Sequence, residues 1–477
     1  MDVNLVPLLP AAQVLLAALV VMLLDLFFAE HEKPLLAWIS IFGLALCAVD
    51  AVLLWGNREG AFADTFQLDN FSLFFTQLFV AAAILTVLSS VRYVREAGIH
   101  EGEYYSLILF ATAGMIVMAA ANDLIVFFLG LETMSVAVYV LTGIWRSSAR
   151  SSEAAMKYFL MGSFATGFLL YGIALIYGAT GTTNLTEIAA YLLEPQWPRY
   201  LSVGGLLLLV GLAFKVGAVP FHFWIPDVYE GAPTPVTGFM SVAVKAAAFA
   251  AWARILMHQL SPLDSDWAYA VRVLAIATMT LGNLLAISQS SVKRMLAYSS
   301  IAHAGYILIG IVAGEEWGST SVLFYLATYV PVTFGAFAVI TALTERDRPK
   351  EEYGHFAGLG FKRPFLAMAM TFFMLSLAGF PPLAGFTGKF HIFRSAIAAG
   401  YTDLAIIGVL NSLLSLIYYL RVIVMMYMSE GGVQGKSLAE SPSLYVAVAL
   451  ATVATIYLGV LPTRAVEWSR IAYSTLF

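Results

Sequence analysis

Long apolar runs alternate with short polar breaks along the whole chain. Runs such as "PLLPAAQVLLAALVVMLLDLFF" and "DLIVFFLGLETMSVAVYVL" extend far past the roughly four to eight residues of a strand. About 20 apolar residues are what an α-helix needs to cross a bilayer. Fourteen spans are predicted, at 5–28, 35–55, 72–91, 104–120, 123–143, 155–178, 201–229, 236–257, 269–288, 297–314, 320–343, 364–397, 402–428 and 442–461. Two of them are predicted to be broken. Span seven is interrupted around Gly217–Pro220, and span twelve around Gly379–Pro382 and Gly385.

Interrupted helices at membrane depth leave backbone groups unpaired, which is tolerated only inside protein or beside water. Two interruptions five spans apart predict two copies of a five-helix unit, spans four to eight and nine to thirteen, and the odd offset inverts the second copy. The fold class expected is an all-α integral membrane protein of about fourteen transmembrane helices, with two inverted five-helix repeats, each containing a broken helix. A β-barrel would show short alternating segments instead. The chain divides within one polytopic membrane domain, 1–477: N-terminal helices in 1–100, a first repeat in 104–257, a second in 269–428 and a C-terminal helix in 442–477. The connections 179–200 and 344–363 are too short for a soluble domain.

Composition agrees. Of 477 residues 60% are hydrophobic and 12% charged, against about 25% charged in soluble domains. The net charge of −5 says little, and no basic block suggests nucleic acid. The single cysteine, Cys47, excludes an internal disulfide, a cysteine zinc site and a cysteine-held iron–sulfur cluster. The start, "MDVNLVPLL", lacks a positive n-region, so the first apolar run is expected to be a retained helix.

Loop charge sets the orientation. Lys33, Arg92, Arg95, Arg146, Arg150, Lys293, Arg294, Arg346, Arg348, Lys350, Lys362, Arg363 and Lys436 follow odd-numbered spans. Only Arg58, Arg199, Arg464 and Arg470 follow even-numbered ones. The positive-inside rule then places the odd loops in the cytoplasm and both termini on the opposite side of the membrane.

Ionisable residues near the bilayer centre are costly and point to function. Glu132, Lys215, Lys245 and Lys389 are predicted to lie deep in spans five, seven, eight and twelve. The alternative for each is a structural ion pair, but one glutamate and three lysines do not pair off evenly. His303, in "LAYSSIAHAGYILIGIV", reads either as a titrating group or as a packing histidine. Lys157 is shallower and reads as part of the same path or as a snorkelling side chain. Asp25, Asp50 and Arg421 lie near helix ends, where snorkelling is the better reading. Desolvation disfavours a charged lysine, and a nearby carboxylate favours it. A lysine between these influences exchanges its proton when the carboxylate moves. A metal site is not expected from so few carboxylates.

Three stretches carry a resemblance. "KVGAVPFHFWIPDVYEGAPTPVTGFMSVAVK" (215–245), "QSSVKRMLAYSSIAHAGY" (289–306) and "LAGFPPLAGFTGKF" (377–390) resemble signatures of the antiporter-like membrane subunits of proton-pumping NADH:quinone oxidoreductase, respiratory complex I. The likeness covers nearly the whole chain. Within that family "DVYEGAPTPVT" (227–237) is similar to the N branch, the counterpart of mitochondrial subunit 2. The sister L and M branches more often read Asp-Ala-His-Ala-Glu-Ala-Pro-Thr-Pro-Val-Ser there, where this chain has Tyr229 and Gly231. M usually has a glutamate at the place of Lys389, and L continues into a long lateral helix, whereas this sequence stops soon after span fourteen.

The resemblance implies a bacterial inner membrane, with both termini then periplasmic, and proton translocation from cytoplasm to periplasm, coupled to quinone reduction in the rest of the complex. It implies that Glu132 pairs with Lys215, that Lys245 connects the two halves, and that Lys389 serves the half-channel toward the periplasm. Lys157 and His303 match polar-axis positions. Expected partners are neighbouring antiporter-like subunits, small membrane subunits and the lipid bilayer. No cofactor is expected in this chain; FMN, iron–sulfur clusters and quinone belong elsewhere in the complex. Two other functions fit the same residues: a subunit of a multisubunit sodium/proton antiporter, and a non-conducting membrane scaffold.

Overall fold

Apolar length decides the architecture. The computed structural model describes residues 4–194, 196–344, 351–431 and 440–476. Arg346, Arg348, Lys350, Lys436 and the terminal residues Asp2 and Phe477 lie outside the described residues. The first helices are α1 (Leu9–Asp25), α2 (Leu35–Leu53), α3 (Asn70–Ala97), α4 (Glu101–Ala120), α5 (Leu124–Thr142) and α6 (Ala149–Thr180). Short α7 (Leu185–Tyr191) precedes α8 (Arg199–Val216) and α9 (Trp224–Gly231). Next come α10 (Thr234–Gln259), α11 (Asp264–Ile287), α12 (Val292–Val312) and α13 (Gly314–Leu343). The chain continues through α14 (Pro364–Ala378), α15 (Ala384–Ala398), α16 (Thr402–Met428), α17 (Pro442–Val460) and α18 (Thr463–Ser474).

Thirteen of these helices are long and apolar enough to cross a membrane. The broken pair α14–α15 supplies one more crossing, which gives the fourteen expected. The two five-crossing sets pack alike: α4 pairs with α5 and α11 with α12, while α6 lies on broken α8–α9 and α13 on broken α14–α15. The centre belongs to α10, α12 and α13, whose apolar windows are 100%, 94% and 100% buried, whereas those of α1, α2, α6 and α16 are 33% buried and face outward.

Local differences from the sequence reading have local causes. Asp69 caps α3 by accepting from the Ser72 amide at 2.7 Å while Ser72 Oγ accepts from the Asp69 amide, a reciprocal capping box. That helix then runs to a left-handed Gly98, so Arg92 and Arg95 sit on its last turns rather than in a loop. A small antiparallel hairpin, β1 (Glu59–Ala61) with β2 (Phe66–Leu68), joins α2 to α3. The C-terminal helix is two helices, α17 and α18. The tract α10 is not a regular helix: it holds π-helical turns at Met240–Val244 and Trp252–Gln259.

One buried ion pair ties this arrangement together. Arg254 Nη2 donates to both carboxylate oxygens of Asp69, at 2.9 and 2.8 Å, and the guanidinium lies 4.8 Å from the centre of the Phe71 ring. The two side chains are 1% and 2% exposed. The contact joins α10 to the N-terminus of α3, and the sequence reading picked out neither residue.

Removing one partner strands a buried charge, which costs about 3–5 kcal/mol. Asp69→Asn and Arg254→Met are each expected to lower sharply the amount of folded chain recovered from membranes. The double variant is expected to recover much of that loss. Quantitative blotting of membranes against wild type checks both expectations; a double variant no better than the worse single one counts against the pair.

Candidate functional site

Each helix break is closed by a glycine. At the first, Gly217 has φ of 77° and its amide donates to Ala213 O and Phe214 O at 3.0 and 3.1 Å. A side chain there would meet Ile225 as well as a disfavoured backbone, which suits glycine. Trp224 Nε1 donates to Phe214 O at 3.0 Å, and the Val219 amide to Thr278 Oγ1 at 2.9 Å. At the second break Gly379 has φ of 94° and donates to Leu375 O and Ser376 O. Gly385 lies inside the first turn of α15, where its amide bonds Ser376 Oγ across the gap at 2.9 Å. Both breaks contain a cis proline bond, at Val219–Pro220 and Pro381–Pro382.

The three deep lysines are buried, at 3%, 2% and 3% exposure for Lys215, Lys245 and Lys389. Not one has a carboxylate within 4.0 Å among the described residues. Each is held on neutral oxygens instead. Lys215, in the last turn of α8, donates to Ser135 Oγ at 2.7 Å and Tyr139 OH at 3.4 Å, both on α5. Lys245, directly after the first π turn of α10, donates to the carbonyl of Ser300 and, at 2.5 Å, to its hydroxyl on α12. Lys389, on α15, donates to Leu377 O at 2.8 Å, Ala378 O at 3.4 Å and Ser412 Oγ at 2.8 Å. Its ammonium therefore sits on the carbonyl end of α14, where the helix dipole favours a cation.

Glu132 and Lys215 are neighbours but do not touch. Glu132 is half-buried on α5 and accepts from Thr166 Oγ1 of α6 at 3.1 Å. Ser135 and Tyr139, which hold the lysine, stand three and seven residues further along the same helix face. The lysine bonds α5 one helical turn away from the carboxylate, and the expected Glu132–Lys215 contact is not formed.

His303 is 2% exposed and occupies the middle of the second half. Its Nδ1 bonds Tyr325 OH at 2.6 Å and its Nε2 bonds Tyr419 OH at 3.1 Å. Tyr419 also bonds the Ser299 hydroxyl. One face of α12 thus carries Ser300 under Lys245, then His303, then Tyr306, whose ring centre lies 4.9 Å from Lys389 Nζ. Lys245, His303 and Lys389 are brought together along this helix. No hydrogen bond joins Lys215 to Lys245 among the described residues.

Lys157 lies elsewhere. Its side chain is 39% exposed and pairs with Glu153 at 2.8 Å and Asp227 at 2.9 Å. Asp227 also meets Arg294 at 2.9 Å, and Arg294 meets Glu230 at 2.6 Å. Lys157, Glu153, Asp227 and Glu230 line a pocket of about 260 Å³ between α6 and α9, at the end of the bundle rather than on its midline.

The sequence reading missed Ser135, Tyr139, Ser300, Tyr325, Tyr419 and Ser412. Two signals were available. Ser135 and Tyr139 follow Glu132 at helical spacing, and Ser300 and Tyr306 flank His303 inside the quoted "LAYSSIAHAGY". Tyr325, Tyr419 and Ser412 reach the site only through tertiary packing. Among the described residues no three His, Cys, Asp or Glu side chains gather as a metal site.

Comparison with known proteins identifies the family. Residues 121–415 match the membrane family described as NADH:quinone oxidoreductase/Mrp antiporter, TM. The NADH-quinone oxidoreductase subunit N of Trichlorobacter lovleyi is 46% identical over 472 residues, 98% of this chain and 97% of that protein. Among solved structures, a chain of respiratory complex I from Thermus thermophilus with bound aureothin superposes with a TM-score of 0.82 at 35% identity, over 96% of this chain and 98% of that one. A chain of the archaeal membrane-bound sulfane sulfur reductase superposes with a TM-score of 0.88 at 26% identity, over 99% and 98%. The chain belongs to the antiporter-like membrane subunits of NADH-quinone oxidoreductase, in their subunit N family.

Proposed function

We propose that the buried lysines form the proton path of this subunit and that the path runs Glu132, Lys215, Lys245, His303, Lys389. The observation that carries it is the row of three buried ammonium groups, each resting on neutral oxygens with no carboxylate to neutralise it among the described residues. A static ion bridge would hold a carboxylate against each lysine. Desolvation disfavours the charge, and hydrogen bonds to hydroxyl and carbonyl oxygens favour it, so each site is poised to exchange a proton when a neighbouring charge moves. Lys157, with Glu153, Asp227 and Arg294, forms the inlet at the odd-loop side. Protons move from cytoplasm to periplasm, and 104–257 and 269–428 act as the two half-channels. The driving reaction is quinone reduction in partner subunits that carry the FMN and iron–sulfur clusters; this chain holds no redox centre. Moving one charge against ~100 mV takes about 2.3 kcal/mol, the equivalent of under about two units of lysine proton affinity at ~1.36 kcal/mol each.

Lys215→Ala is expected to abolish proton pumping with the complex still assembled. Lys215→Arg is not expected to restore it, since a guanidinium stays protonated. Pumping in vesicles of the assembled variants decides this: wild-type rates in Lys215→Ala refute the path.

Glu132 supplies the charge that draws the proton to Lys215. Glu132→Gln keeps the shape and loses the charge, and Glu132→Asp keeps the charge at a longer reach. Protons pumped per quinone reduced are expected to fall further in Gln than in Asp. Equal ratios in the two variants would show that charge at this position is irrelevant.

Orientation is tested by cysteine labelling, since native Cys47 is buried. Arg146→Cys, at an odd loop, is expected to react only from the cytoplasmic side. Leu193→Cys, 81% exposed after an even crossing, is expected to react from the periplasmic side; the reverse pattern inverts the pump.

A further inference from the structure

The second helix break opens sideways as well as inward. Beside it lies a cavity of about 790 Å³ between α15 and α16, within the roughly 300–1,000 Å³ of ordinary ligand sites. Its wall is made by Phe386, Phe390, Phe393, Ile397, Val409 and Leu413, with Lys389 and Ser412 at its inner end. Phe390, Ile397, Val409 and Leu413 are 52%, 55%, 52% and 61% exposed, so the cavity opens on the apolar outer surface of this chain. Arg394 also lines it. It lies four residues before the end of α15, about 6 Å at ~1.5 Å per residue, the depth from which a long side chain snorkels to the headgroups. The residue is exposed and meets no carboxylate within 4.0 Å among the described residues.

We propose that this cavity is a binding site for an anionic phospholipid, with the phosphate on Arg394 and an acyl chain laid against Phe390 and Leu413 toward the helix break. Charge complementarity selects this occupant. A guanidinium recognises a phosphate bidentately, and a headgroup without its own cation leaves the unmatched arginine neutralised. An apolar helix from another subunit would fill the wall and leave Arg394 without a counter-charge. The acyl chain would also cover the side of the break where Lys389 lies, separating that ammonium from the bulk bilayer.

The test uses the intact purified complex in phosphatidylcholine nanodiscs, with a phosphatidylglycerol probe that carries a photoreactive diazirine in mid-chain. Peptide mapping is expected to find the label on α15 and α16, around Phe390 and Leu413. Unlabelled phosphatidylglycerol is expected to compete about fivefold better than phosphatidylcholine. Arg394→Gln is expected to cut labelling about fivefold, the equivalent of the ~1 kcal/mol of one basic residue at an anionic surface. Arg394→Lys is expected to retain most of it, and Leu413→Trp to block the cavity. Equal competition by the two lipids in the wild-type complex overturns the headgroup assignment. No label on these helices means that protein covers the cavity, and this also overturns the proposal.

Discussion

A helix that ends inside an apolar bundle leaves its last carbonyls without amide donors, and in lipid each such group costs several kcal/mol. Both breaks in this chain meet that demand, with different donors. The end of α8 is closed by a neutral indole, Trp224 on Phe214 O. Lys215, one residue further on, is thereby free to reach across to α5. The end of α14 is closed by the ammonium of Lys389. A bond from a charged donor is about twice as strong as a neutral one, so the second joint is strongest when its lysine is protonated. The two halves share a packing plan, yet only one of them couples its break to the charge it carries.

The central helix α12 turns these separate joints into a row. Ser300, His303 and Tyr306 recur every third residue and so share one face. That face meets Lys245 on one side and Lys389, above the Tyr306 ring, on the other. Tyr325 and Tyr419 hold the imidazole from two other helices, fixing its plane without adding charge. The interior is consequently rich in hydroxyls and poor in carboxylates. Hydroxyls donate and accept at once, so each can take a bond from a lysine or imidazole and pass another on.

Much of this was legible from apolar run length and from glycine and proline. The fourteen crossings, the two breaks and the burial of Lys215, Lys245 and Lys389 all follow from local sequence, because a membrane leaves the backbone few choices. Which lysine each oxygen receives was not legible, even where spacing marked the residue, since Ser300 and Ser412 lie 55 and 23 residues from their partners. The separation of Glu132 from Lys215 was hidden for the same reason: Thr166 and Ser135 are nearer oxygens that only packing brings into reach. The Asp69–Arg254 pair spans 185 residues, and each member alone resembles an ordinary helix-end charge. The π turns of α10 left no mark because their residues, "MSVAV" and "WARILMHQ", suit an α-helix equally well.

Those π turns have a consequence for the phase of the bundle. A π turn bonds i to i+5 and so holds about one residue more than the α turn it replaces. The tract α10 contains such turns on both sides of Lys245, and the second of them carries Arg254. Each extra residue rotates the remainder of the helix by about 100° relative to an unbroken α-helix. Three faces of one crossing are therefore set independently: the 234–239 turn against its neighbours, Lys245 against α12, and Arg254 against α3. In an uninterrupted α-helix, satisfying any two of these contacts would dictate the direction of the third. Stored insertions of this kind let a single transmembrane segment both present Lys245 to one central helix and anchor another helix far along the chain through Arg254.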